Sequence, residues 1–240
     1  MSTLLPIKML ALDFSVTNSA IYCLMTLASI YAIWSLLLLK GGLVIPSNYE
    51  VCAEMLYRFI TSLVREQLGH NGTKYISIVF TVFVYILTAN LLGLIPFSFA
   101  TTAQLVVAFG LSFSLFIGVT LIGIIAHKLH FLSFFLPSGA PIALAPLLVV
   151  IELISYIFRP ISLGVRLFAN LTAGHSLLAI IAGFSSTMIA TNTILWSLIA
   201  TIPCIVILAI LALELAVAFL QAYVFAVLLC IYLKDAIELH

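Results

Sequence analysis

Residues 141–183 read PIALAPLLVV IELISYIFRP ISLGVRLFAN LTAGHSLLAI IAG. The stretch is apolar for more than forty residues yet holds Glu152, Arg159, Arg166 and His175. As one helix, rising about 1.5 Å per residue, it would be on the order of 60 Å long, twice the ~30 Å hydrocarbon core of a bilayer. A second run, 193–233, has similar length and carries Glu214 and Gln221. Few turn signals break either run, so the reading is two long, strongly tilted, antiparallel membrane helices joined by a turn near Ser185–Asn192.

Composition sets the solvent for these helices. Hydrophobic residues make up 65% of the 240 and charged residues 7%, against about 25% charged in a soluble domain. Mean hydropathy is +1.34. Such a chain cannot cover a globule with polar surface, and in hydrocarbon its backbone must bond internally, so it is read as an all-α integral membrane protein. A net charge of +1 gives no electrostatic case for nucleic acid. Cys23, Cys52, Cys204 and Cys230 are far apart and suggest neither a disulfide framework nor a zinc site. The first apolar run is longer than a signal-peptide core, and an Arg-rich transit segment is lacking. Synthesis is therefore expected in the compartment of use, a bacterium or an organelle with its own ribosomes.

Three further segments have spanning length, 19–39, 75–97 and 103–126, which makes about five membrane helices in one domain covering 1–240. Between the first two, 47–70 is too charged to span. Ser47 and Glu50 have capping-box spacing, Glu50, Glu54, Arg58 and Arg65 mark one side, and Leu56, Ile60, Leu63 and Val64 the other. Gly69 and Asn71-Gly72 are stop signals. This is an interfacial amphipathic helix. Lys40, Arg58, Arg65, Lys74 and Lys128 fall on two loops of one side, whereas the loops near 98–102 and 184–192 have no basic residue. The positive-inside rule puts the first set in the cytoplasm or matrix, with the amino end outside and the carboxyl end inside.

Ionisable groups at membrane depth carry the functional reading, because each costs about 2.5–3.5 kcal/mol to insert. Glu152, Arg159 and Arg166 recur every seven residues on one helical stripe, with Ser155, Ser162 and Ala169 beside them. Small residues there allow close approach of another helix. Glu152 with Arg159 also fits a structural ion pair. Arg166 has no carboxylate within a turn and Asn170 at i+4; a guanidinium does not give up its proton, so its counter-charge must come from Glu214 or from a second subunit. His175 lies on roughly the opposite side of the helix, and Gln221 continues the stripe of Glu214.

The run from Arg159 to His175, RPISLGVRLFANLTAGH, resembles the signature of subunit a of F-type ATP synthases. The segment from Glu214 through Gln221-Ala222-Tyr223 to Tyr232-Leu233 is similar to that family's final helix, and Asn90-Leu91-Leu92-Gly93-Leu94-Ile95-Pro96 to a shorter motif in an earlier span. The likeness covers nearly the whole chain. It implies a non-catalytic, stationary subunit beside a rotating ring of proteolipid c subunits, with peripheral-stalk and other membrane-sector subunits as partners and lipid around it. No cofactor is implied, protons being the transported ion. The resemblance places Arg166 opposite the ring carboxylate, Asn90, His175, Glu214 and Gln221 along an entry half-channel, and Glu152 on the exit side. Arg159 and the pair His175 and Glu214 resemble the mitochondrial branch, so the expected place is the mitochondrial inner membrane, amino end in the intermembrane space, with the bacterial plasma membrane as the alternative.

Other readings are weaker. A haem subunit needs paired intramembrane histidines, and only His175 qualifies. A secondary transporter built from repeats would show one half echoed in the other, and a pure scaffold leaves Arg166 unexplained. The tripeptides at 71–73 and 170–172 match the glycosylation pattern at unsuitable depths. His127 and His130 beside Lys128 read as loop residues at the headgroups, with Phe131, Phe134 and Phe135 as anchors.

Overall fold

A computed structural model describes residues 3–5, 8–9, 12–13, 16–39, 48–95, 100–127, 145–190 and 199–237. Six helices account for most of them: α1 (Asn18–Leu39), α2 (Asn48–Leu68), α3 (Ile76–Gly93), α4 (Leu105–His127), α5 (Ala145–Ala190) and α6 (Thr201–Ile237). Among the described residues, four stretches are long and apolar enough to cross a membrane: Gly72–Gly93, Leu105–Ala126, Leu147–Ala190 and Thr201–Ile237. Helix α1, of 22 residues, carries no charged side chain. Ahead of it lies a feature the sequence reading did not anticipate, two nested antiparallel ladders pairing Thr3–Leu5 with Val16–Thr17 and Lys8–Met9 with Leu12–Asp13.

Helix α6 is the hub, packing against α2, α3, α4 and α5. Its inward residues Ala222, Phe225, Ala226, Leu229, Cys230 and Leu233 join Val79, Phe83 and Ile86 of α3 and Leu163 and Leu167 of α5 in one core. Close approach depends on small residues. A Cβ on Gly164 would sit 2.9 Å from the Ser112 hydroxyl of α4, so α5 meets α4 there nearly backbone to side chain.

Helix α2 turns Ile60, Leu63, Val64 and Leu68 inward, with Leu56 packed against the core, while Arg58 and Arg65 are exposed. Its apolar side is thus seated on α3 and α6. The helix stops at Gly69, whose φ of 64° is a left-handed conformation that favours glycine. A 3-10 segment, Gly69–Tyr75, leads into α3.

Several boundaries differ from the sequence reading. Helix α3 ends at Gly93 and not at 97, because Pro96 disfavours helical backbone just before it. The loop expected near 98–102 contains a buried 3-10 turn, Thr101–Ala103; Thr101 and Thr102 are 2% and 1% exposed, and a Cβ on Gly93 would lie 3.1 Å from that of Ala100. Helix α5 runs past 183 to Ala190, through part of the expected turn. Ser186 and Thr187 donate to the carbonyls of Gly183 and Phe184, both at 2.8 Å, a local bond that lets hydroxyl residues stay in a helix. Helix α6 is described from Thr201, later than the expected 193. Ser47, Lys40, Lys128, His130 and the three phenylalanines lie outside the described residues, as do 191–192 of the turn.

Candidate functional site

The α5–α6 seam collects the polar side chains of the bundle, and its contacts run in opposite sequence order: Gly174 over Glu214, Asn170 with Gln221, Arg159 with Asp235. Arg159 anchors the last of these. It donates to Asp235 at 2.8 Å, lies 3.6 Å from Glu152, and sits over the rings of Tyr156 and Tyr232 at 5.8 and 5.5 Å. The Tyr156 hydroxyl lies 2.8 Å from Thr120 of α4. Cation, carboxylates and aromatic faces satisfy one another here, as a charge at membrane depth requires. The possible ion pair of Glu152 with Arg159 is present, but with Asp235 as the nearer partner.

About three turns further along α5 the chemistry changes. Asn170 donates to the Gln221 side-chain oxygen at 2.9 Å. Asn90 of α3, fully buried, donates to the Ala218 carbonyl at 3.3 Å and accepts from Thr102 at 3.1 Å. Glu214 and Gln221 are each 5% exposed. Four atoms among these groups are buried without a protein partner among the described residues: His175 Nε2, both Glu214 carboxylate oxygens and Gln221 Nε2. A buried polar atom left unpaired costs about 1–3 kcal/mol, so four in one seam set it apart from the rest of the core. Gly174 makes the room: any Cβ there would run into the Glu214 carboxylate.

Arg166 stands apart from both clusters. It is exposed, as are Ser155, Ser162 and Ala169, whereas Pro160, Leu163, Gly164, Leu167 and Leu171 face the core. Among the described residues it has no ion pair, Glu214 included. The seven-residue series therefore divides into a neutralised pair, Glu152 and Arg159, and one free cation on the outer face.

These motifs have close relatives. A model of the family described as "ATP synthase A chain" matches residues 20–234. The chain is 47% identical over 240 residues to the ATP synthase subunit a of Marchantia polymorpha, covering 99% of this chain and 95% of that protein. For the subunits of Chondrus crispus and Mycosarcoma maydis the identities are 42% and 45%, over 99% and 95% of this chain and 93% and 89% of theirs. The chain belongs to the ATP synthase A-chain family. It is a stationary proton-channel subunit of that complex and is not itself the catalytic part.

Sequence reasoning overlooked three residues of the site. Asp235 falls fourteen residues after Gln221 on the seven-residue stripe from Glu214, a signal that was there to be used. Thr102 sat in an assumed loop, and Gly174 becomes legible only once α6 is laid across α5.

Proposed function

We propose that the α5–α6 seam forms two offset proton half-channels against a rotating ring of c subunits, with Arg166 between them. Supporting this, the Arg166 guanidinium of α5 is exposed and has no ion pair among the described residues, beside small residues that would admit a neighbouring helix. Asn90, His175, Glu214 and Gln221, with Asn170 bonded to Gln221, form the entry path. Glu152, supported by Arg159, stands on the exit side.

The chemistry follows from charge in a medium of low dielectric. A ring carboxylate reaching Arg166 is favoured in its ionised form and releases its proton toward Glu152. It cannot move on into lipid as a bare anion and must first take a proton from the His175–Glu214 side. A continuous water path would dissipate about 2.3 kcal/mol per charge per 100 mV. The fixed cation blocks it by repelling hydrated protons. Arg166→Lys keeps the charge but loses the planar fork. ATP-driven proton pumping by the assembled complex should fall to background in that variant, and pumping at the wild-type rate would overturn the assignment.

The finer topology belongs to the same reading: five crossings, α5 and α6 slanted and antiparallel, amino end in the intermembrane space, carboxyl end in the matrix of a mitochondrion. Supporting it, α5 has 46 residues and α6 has 37, about 69 and 56 Å of helix against ~30 Å of hydrocarbon. Arg58, Arg65 and Lys74 are exposed near the α2–α3 connection. A membrane-impermeant thiol reagent should label Cys at position 74 from the matrix side alone; labelling from the opposite side would reverse the orientation.

A further inference from the structure

Away from the seam, α1 packs chiefly against α3, and a cleft of about 590 Å³ opens between α1, α2 and α3. That volume lies within the ~300–1,000 Å³ range of sites for small ligands. Its walls are Leu27 and Trp34 of α1, Tyr57 of α2, and Phe80 and Val84 of α3, with Lys74 at one end. Trp34 and Tyr57 both stand edge-on to Phe80, at 5.7 Å, which gives the cleft an aromatic waist. Lys74 is exposed and has no ion pair among the described residues. The Thr81 hydroxyl donates to its own helix at Ser77, so that the deeper wall is mainly apolar, with Leu27, Ile30, Phe80 and Val84 beside Tyr85.

We propose that this cleft holds one anionic phospholipid taken from the bilayer, its phosphate on Lys74 and an acyl chain along Phe80 and Val84. The shape carries both halves. A cation alone at the mouth would attract any anion, but the walls run from Lys74 along α3 to Val84, about 15 Å into hydrocarbon, where only a chain attached to the headgroup can follow. Tyr57 and Trp34 supply amphipathic rings along the wall beyond Lys74, and a lysine at the mouth of a pocket between membrane helices suits lipid phosphate. The proposal needs only that the chain crosses the bilayer, so it can fail while the rotor reading survives.

The test uses the intact, assembled ATP synthase, delipidated in mild detergent and incubated with phosphatidylglycerol in phosphatidylcholine micelles, with retained lipid counted by mass spectrometry. Lys74→Ala should lower retained phosphatidylglycerol about fivefold, Lys74→Arg should keep it, and Val84→Trp, which fills the cleft, should lower it comparably. Should Val84→Trp fail to assemble, Leu27→Trp on the opposite wall serves instead. Equal retention in the wild type and the filled variant, or a loss confined to Lys74→Ala, would overturn the proposal. So would competition by inorganic phosphate, or a photoreactive group at position 27 that captures a polypeptide in place of lipid.

Discussion

At one end of the α5–α6 seam Arg159 touches two carboxylates and two aromatic rings; at the other, the His175 ring and the Glu214 carboxylate present three buried atoms that no described protein group reaches. Both ends place ionisable groups at membrane depth. The first settles its charges within the chain, so it can fold and stay folded as it is. The second leaves its groups without hydrogen-bond partners among the described residues, which is what the proposed proton path would use. The paired end is partly exposed while Glu214 is buried, so it is the combination of burial with a missing partner that sets the second end apart.

Substitutions can break or sharpen that contrast. The largest effect is expected from Glu214→Leu, which should slow proton conduction by about a hundredfold, as loss of a proton-transfer group does, with assembly intact. Passive proton flux through the membrane sector, read beside complex yield, would show it. Arg159→Met should act the other way round, destabilising by about 2 kcal/mol because Glu152 and Asp235 lose their cation. Replacing all three with Glu152→Leu, Arg159→Met and Asp235→Leu should restore most of that loss in thermal unfolding of the complex. Gly174→Ala is smaller still: its methyl pushes the Glu214 carboxylate aside, and overpacking of about 1 kcal/mol should appear as several-fold slower flux without a change in yield. Smallest is Glu54→Ala, which frees Arg58 from an exposed pair at 2.6 Å and should cost about 0.3 kcal/mol.

The membrane helices were legible because hydrocarbon leaves the backbone so few choices. Arg166 stood out for the same reason, as a cation in an apolar run with no carboxylate nearby, and the structure leaves it exposed and without an ion pair among the described residues. What periodicity could not carry was contact between distant segments. Asn90 bonding Ala218, Thr102 bonding Asn90, and Gly174 over Glu214 depend on how three helices cross, and no spacing within one helix encodes that. The boundary at Ser185 failed for a different reason: serine and threonine read as turn formers in water, yet here they bond their own helix.

The seat of α2 has a temporal side. Ile60, Leu63 and Val64 are covered in part by α6, which the ribosome makes after α2, α3, α4 and α5. Until α6 emerges, that surface is only partly covered, by α3. Closing it therefore joins two stretches far apart in the chain, Asn48–Leu68 and Thr201–Ile237, late in biogenesis, and a chain cut short before α6 would leave part of the oily side of α2 uncovered.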